Sequence, residues 1–237
     1  MSRTRRRLAA LAPQGFALLD LPQRKMQTAK LHADAGEDWR PALGALRSHC
    51  EADPARGAAL EVLLSQAFVR FIVTPWSMAL TSRATAHAFL SGLFDAAHGE
   101  RASGWVCTAE ERLAAEPRIA AGIERALFDD LGGAAAACGA RLESVRPWTV
   151  AAFARGRGRA RSADGWYAAI EPGWIGLGAL RGGRLCELSR AAYEGDWQQA
   201  LERAIRRQSL REGISESLPV EHRGAEEGIE AWLRLAA

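Results

Sequence analysis

Residues able to do covalent or metal chemistry are present in this 237-residue chain, but their spacing assembles no motif. His32, His49, His87, His98 and His222 are scattered without an HxH or HxxxH pair, the spacings that put two imidazoles on one metal. Cys50, Cys107, Cys138 and Cys186 lie tens of residues apart with no CxxC. His49 adjoins Cys50, but adjacent side chains diverge on a helix, so the pair makes a poor metal site. All four cysteines read as buried, reduced, small hydrophobes. A catalytic nucleophile needs a base and an orienting acid. No GxSxG occurs, and Cys107 sits inside an apolar strand-like run. Phosphate cradles of the GxxxxGK[ST] and GxGxxG kinds are also missing. The segment GRGRA, 156–160, alternates glycine and arginine but precedes no apolar helix. Asp129-Asp130 and Glu226-Glu227 are adjacent acids. They point roughly 100° apart on a helix and read as solvated surface rather than an acid/base dyad.

Several polar or aromatic residues stand where a cleft or a partner surface would use them. Arg70 lies between Val69 and Phe71, Glu171 closes an apolar run, and Arg146 precedes Pro147. Tryptophans cluster at the ends of apolar runs, and Trp76, Trp148 and Trp174, together with Arg70, are the candidates for a partner-binding surface. Two basic clusters, Arg3, Arg5, Arg6 and Arg7, and Arg155, Arg157, Arg159 and Arg161, carry charge suited to phosphate or anionic lipid. Neither interleaves aromatics as single-strand binders do, so a solvated terminus and a solvated loop are expected.

The elements that must position these residues follow from apolar periodicity. Apolar residues make up 48% and charged residues 25% of the chain, which suits a globular protein with a buried core rather than a disordered one. The length fits one large domain or two small lobes. Lys25 and Lys30 are the only lysines and the net charge is +3, so the arginine content reads as the composition of a GC-rich bacterial genome. Apolar runs such as 60–64 and 68–73 fall far short of the about 20 residues that span a bilayer.

Residues 1–12 read as a basic leader. Strands are expected over 15–21 and 26–34, then a helix opened by Asp38 with Trp39, Leu43, Leu46 and Cys50 on one face. The run 59–76, broken at Ser65-Gln66 and stopped by Pro75, reads as two strands covered on both faces, which implies an α/β layer arrangement. A helix from Thr81 or Ser82 to His98-Gly99 follows, then strands over 104–110 and 117–123 and a helix burying Ile123, Leu127 and Leu131. A strand over 141–148 stops at Pro147, a short helix follows it, and residues 156–165 read as a linker. Beyond it come three short strands turned at Pro172-Gly173 and Gly182-Gly183, a helix capped by Asp196, and a last helix with Ile229, Trp232 and Leu233. No internal repeat is visible.

The order of these blocks resembles the actin-like cytoplasmic proteins of bacterial type IV pilus assembly (the M component) and type II secretion (the cytoplasmic domain of the L component). LSQAFVRFIVTPW, a helix ending in FDAAHG, PRIAAGIERALFDDL, RLESVRPW and GWYAAIEPGWIGLGALRGGRL carry the resemblance. It implies a ribonuclease-H-like, actin-like α/β fold, a mixed sheet flanked by helices and repeated in two lobes. In a chain of this length that means a first lobe over 13–155 and an abbreviated second lobe over 162–237. Active actin-like ATPases carry an Asp-x-Gly phosphate loop on the first β-hairpin and a second such loop opening the other lobe. The corresponding places here read Asp20-Leu21-Pro22 and Glu171-Pro172-Gly173. Proline removes a donor from each, and the first lacks its glycine.

The resemblance therefore implies no catalytic residue, metal or cofactor. It implies a non-catalytic cytoplasmic scaffold or adaptor at the inner-membrane face, bound to a membrane-anchored protein partner of a pilus or secretion apparatus. In the pilus M component a groove receives an extended peptide of the partner. Two alternatives stay open: a residual actin-like enzyme holding ATP and Mg²⁺ through Asp20 and Glu171, and a nucleic-acid-binding protein using Arg155, Arg157, Arg159 and Arg161. The carboxylate cluster of this fold's nucleases is not found.

Overall fold

A computed structural model describes residues 5–21, 23–31, 36–110, 116–156, 164–224 and 228–236. The chain runs β1 (Arg6–Ala12), β2 (Gly15–Asp20), β3 (Lys25–Lys30), α1 (Arg40–Ala52), β4 (Ala59–Leu64), β5 (Arg70–Thr74), α2 (Arg83–His98), β6 (Trp105–Ala109), β7 (Arg118–Glu124), α3 (Arg125–Ala137) and β8 (Arg141–Pro147). It continues through α4 (Trp148–Gly156), β9 (Gly165–Glu171), β10 (Trp174–Arg181), β11 (Arg184–Ala192), α5 (Trp197–Glu212), β12 (Val220–Arg223) and α6 (Ile229–Ala236). Short 3₁₀ turns stand at Gln66–Phe68, Met78–Thr81 and Gly99–Ala102.

The first sheet has the order β3-β2-β1-β4-β8, and the second has the order β11-β10-β9-β12. In the first, β1 pairs antiparallel with β2 and parallel with β4, and β2 pairs antiparallel with β3. In the second, β9 pairs antiparallel with β10 and parallel with β12, and β10 pairs antiparallel with β11. The two sheets therefore repeat one topology, and the second stops a strand earlier. The repeat is one of hydrogen-bonding pattern, so no recurring residues announce it.

Residues 6–12, assigned from the sequence to a basic leader, form the central strand of the first sheet. The arginines that make the segment look solvated are neutralised by acids from other strands. Arg7 is 1% exposed and meets Asp20, and Arg6 meets Glu61. Leu8, Ala9, Ala10 and Leu11 fill both faces of the sheet. Part of the other cluster lies in α4. The side chains of residues 155 and 156 and all of 157–163 are outside the described residues, as are His32 and Glu226-Glu227.

The layers follow from the apolar faces. Leu43 and Leu46 of α1, Trp39 just before it, and Leu127 and Leu131 of α3 cover Leu11, Leu18, Leu60 and Val62 on one face of the first sheet. On its other face lie α4 and α6, which also reach the second sheet, so Leu8, Leu63, Trp148, Trp232, Tyr167 and Leu188 share one core. Trp148 stacks on Trp232 at 5.1 Å. The outer face of the second sheet is covered by α5.

A third, three-stranded antiparallel sheet, β5-β7-β6, is inserted between β4 and α3 and covered by α2. Sequence runs over 59–64 and 70–74 are both strands, but only β4 is buried on both faces. The strand β5 belongs to the small sheet and is half-buried. Ile123 lies in β7 rather than in α3. Cys50 and Cys138, expected to be reduced, form a disulfide that joins α1 to α3. Neighbouring helices on one sheet face bring together cysteines 88 positions apart in sequence. Among the described residues no helix is long and apolar enough to cross a membrane.

Candidate functional site

With β1 in place, the first hairpin turn is Ala12-Pro13-Gln14-Gly15, and Asp20 stands at the far end of β2, opposite Arg7. The assignment of Asp20-Leu21-Pro22 to the first hairpin is thus corrected: Asp20 closes β2 and Leu21 follows it, and Pro22 lies outside the described residues. Asp20 instead holds Arg5 and Arg7. Burial pushes its carboxyl up, but the two guanidiniums outweigh that and hold it below the usual aspartate range. Asp20 and Glu171 are not brought together. The turn that does face the Glu171-Pro172-Gly173 turn is the β1–β2 one, for Gln14 Nε2 donates to Pro172 O at 3.2 Å.

Glu171 is buried at the seam where the second sheet meets the end of β4. Its Oε1 accepts from the Gln66 N–H at 2.6 Å, and Gln66 Nε2 donates to Ala169 O at 2.9 Å. Burial pushes the Glu171 carboxyl up to about 8, the Gln66 amide opposing. Gly173 turns the hairpin with φ +80°. Gly176 leaves the room that the Gln66 amide occupies; a Cβ there would run into Gln66 Oε1 and lie 2.9 Å from Thr149 Oγ1.

Beside it, Arg190 of β11 bonds across to the Gln66 turn and to Glu37. Its Nη1 donates to Gln66 O and Ala67 O at 3.0 and 2.9 Å, and its Nη2 donates to Glu37 at 2.6 Å. Its guanidinium lies 4.4 Å from the Trp174 ring centre. Glu37 also receives Arg70 Nη2 at 2.5 Å. Burial raises the Glu37 carboxyl, and the Arg190 and Arg70 charges outweigh it and hold it below the ordinary range.

These residues do not fit a magnesium–nucleotide group. Pro13 and Pro172 supply no N–H to a phosphate. A Cβ at Gly15 would run into Ala29 O, so that turn is packed on β3. Gln14 and Gln66 join the two sheets with direct hydrogen bonds, Glu171 is buried against a backbone amide, and Glu37 is held by Arg190 and Arg70. Among the described residues no group of three His, Cys, Asp or Glu could hold a metal ion.

Arg70 leads from the seam to a pocket of about 20 Å³ lined by Glu37, Trp39, Phe68, Trp105, Ile123 and Glu124 among others. It lies where the small sheet meets α1 and the end of β4. Trp39 Nε1 donates to Glu124 Oε2 at 3.0 Å, and Arg70 sits 5.9 Å from the Trp105 ring centre. Of the surface candidates, Arg70 and Trp76 are partly exposed. Trp148 and Trp174 are core residues, 1% and 7% exposed, because strand and helix ends here point inward between layers. Gln66, Arg190, Glu37 and Gln14 were not singled out in the sequence. Of these only Gln66, a polar break inside the apolar run 59–73, left a signal.

No protein-family model matches the chain, and no curated protein does. Solved structures do. The cytoplasmic domain of EpsL, an inner-membrane component of the type II secretion system of Vibrio cholerae, is 13% identical, with 98% of this chain and 94% of that chain covered at a TM-score of 0.60. A protein of unknown function with an actin-like ATPase fold from Bacteroides thetaiotaomicron is 12% identical, with 98% and 87% covered at 0.65. The PilM–PilN type IV pilus biogenesis complex is 12% identical, with 91% and 68% covered at 0.59. At such identities the likeness is one of fold: the chain has the actin-like ATPase fold.

Proposed function

We propose that this actin-like chain is a non-catalytic scaffold of a bacterial pilus- or secretion-type apparatus, working at the cytoplasmic face of the inner membrane and holding an extended segment of a protein partner. The observation that carries the reading is the closed inter-lobe seam, in which Gln14, Gln66 and Arg190 bond across the place where the fold's ATPases carry their phosphate loops. We place the partner's contact along the shallow groove around Arg70, between the small sheet and α1; the pocket there, about 20 Å³, admits only a small group, so the segment would lie along the surface. Trp105, Ile123 and Arg70 are partly exposed there and Glu37 and Glu124 exposed, which gives an extended segment both apolar and charged contacts, while Trp39 and Phe68 lie beneath as core. That PilM is found with PilN supports a protein partner.

A thermal-shift titration with Mg-ATP and Mg-ADP tests the first part. No shift at millimolar nucleotide is expected, whereas a saturable rise of a few degrees would overturn it. Labelled cytoplasmic segments of the host's membrane-anchored pilus and secretion components test the second. One of them should bind the chain and lose binding with Arg70→Glu. Binding by none, or binding indifferent to that change, rejects the groove.

A further inference from the structure

The outer face of α5 has the chemistry of a membrane contact. Ala200, Leu201, Ala204, Ile205 and Gln208 face the second sheet. Arg203, Arg206, Arg207 and Arg211 stand on the exposed side, and Leu210 among them is 83% exposed. Arg203, Arg207 and Arg211 recur at every fourth position and so form one row along the helix. Leu210 lies one turn beyond Arg206 and Arg207 and next to Arg211.

The charges on this face are only partly answered. Arg206 meets Glu216 at 3.6 Å with both side chains more than half exposed, a pair that solvent screens. Glu202 precedes Arg206 by four positions. At the far end Glu212 and the half-buried Glu187 stand near Arg211. Burial and then Glu212 raise Glu187 to about 7, with Arg211 opposing. The row Arg203–Arg207–Arg211 thus keeps net positive charge, and like charges four apart on a helix repel one another until an anionic partner covers them.

Leu210 decides which partner that is. A purely charged polyanion, such as duplex DNA or a polyacidic peptide, answers arginines but offers no apolar site to a projecting leucine. The one aromatic side chain of α5, Trp197, packs on the second-sheet core and against His222 rather than standing on the arginine face where bases could stack. A bilayer with anionic lipids offers both: phosphates to the guanidiniums and the acyl boundary to the leucine. We infer that α5 docks the protein peripherally on an anionic lipid surface, with the Arg203–Arg207–Arg211 row on the headgroups and Leu210 entering between them. This surface shares no residue with the peptide groove and stands whether or not that groove is occupied.

The full chain should co-sediment with phosphatidylethanolamine/phosphatidylglycerol vesicles at low salt, bind phosphatidylcholine vesicles far more weakly, and release as salt rises. Neutralising one arginine should weaken binding about fivefold, and Arg203→Gln/Arg207→Gln/Arg211→Gln together about a hundredfold. Leu210→Gln should weaken it less while keeping the salt dependence. The changes are on the surface, and matched thermal transitions check folding. Should the triple variant misfold, Leu210→Trp in the otherwise unchanged chain decides alone: its emission, read as the difference from the parent chain, should move to the blue on anionic vesicles only. No vesicle binding, equal binding by the folded triple variant, an unmoved difference emission from Leu210→Trp, or preference for duplex DNA or polyglutamate over vesicles overturns the inference.

Discussion

Two carboxylates show how placement, not residue type, sets behaviour. Glu171 has a folded-state pKa raised to about 8 by burial, well above the about 4.3 of an unfolded glutamate. Between those values the folded chain holds a proton that the unfolded chain has lost, so stability falls as pH rises through that window, by about 1.4 kcal/mol per pH unit. Glu171→Gln should flatten this slope and raise the melting temperature above pH 8, as thermal melts across pH will read. Asp20 runs the other way. Its pKa is depressed by Arg5 and Arg7, so its contribution is present above the ordinary aspartate range and disappears as pH falls through the lowered value. Asp20→Ala leaves Arg7, which is 1% exposed, with the carboxylate of Asp53 and its carbonyl alone. A loss of about 3 kcal/mol in urea unfolding is expected. A loss below about 1 kcal/mol would mean that Arg7 finds water instead. The family resemblance gave both carboxylates as phosphate-loop positions that could hold one nucleotide, and nothing in the residues themselves shows that they end up at different places in the fold.

Elements were legible wherever their signals are local. Ser82 caps α2 and Asp196 caps α5 through their side chains, Gly99 ends α2, and Pro172-Gly173 turns β9 into β10. These rest on a few consecutive residues. The strand β1 was missed because its arginines were read without the acids that answer them, and β12 because a four-residue strand carries too little pattern. The α1–α3 clasp is likewise a long-range fact, as Cys50 and Cys138 are both fully buried. Reduction should therefore need partial opening of the helices. A Cys50→Ala/Cys138→Ala variant should be less stable by about 3 kcal/mol, because the bond closes a long loop in the unfolded chain. Denaturant melts of the oxidised and substituted proteins give the comparison, and coincident curves would show that the helices need no clasp.

At the scale of the molecule, α4 and α6 bind the two sheets into one core. Trp148 and Trp232 stack at its centre. Trp232→Ala should cost about 4 kcal/mol through the cavity it leaves. Because Leu8 and Tyr167 share that core, hydrogen exchange in β1 and in β9 should accelerate together. A single thermal transition is expected for the parent chain, and loss of protection in one sheet alone would show that the lobes unfold independently.

Residue order alone carried the local grammar: where helices start and stop, where hairpins turn, that the chain is layered α/β, and that no familiar catalytic spacing occurs. These depend on neighbours a few positions apart, whose effect on backbone and periodicity is direct. Packing in three dimensions settled the rest: which strand lies at the centre, which turn faces which, and that Cys50 reaches Cys138. It also settled that Gln14, Gln66, Glu37 and Arg190 join the second sheet to the earlier part of the chain. Those relations join residues tens to more than a hundred positions apart, and they come into being only when sheet pairing and burial fix how the layers stack.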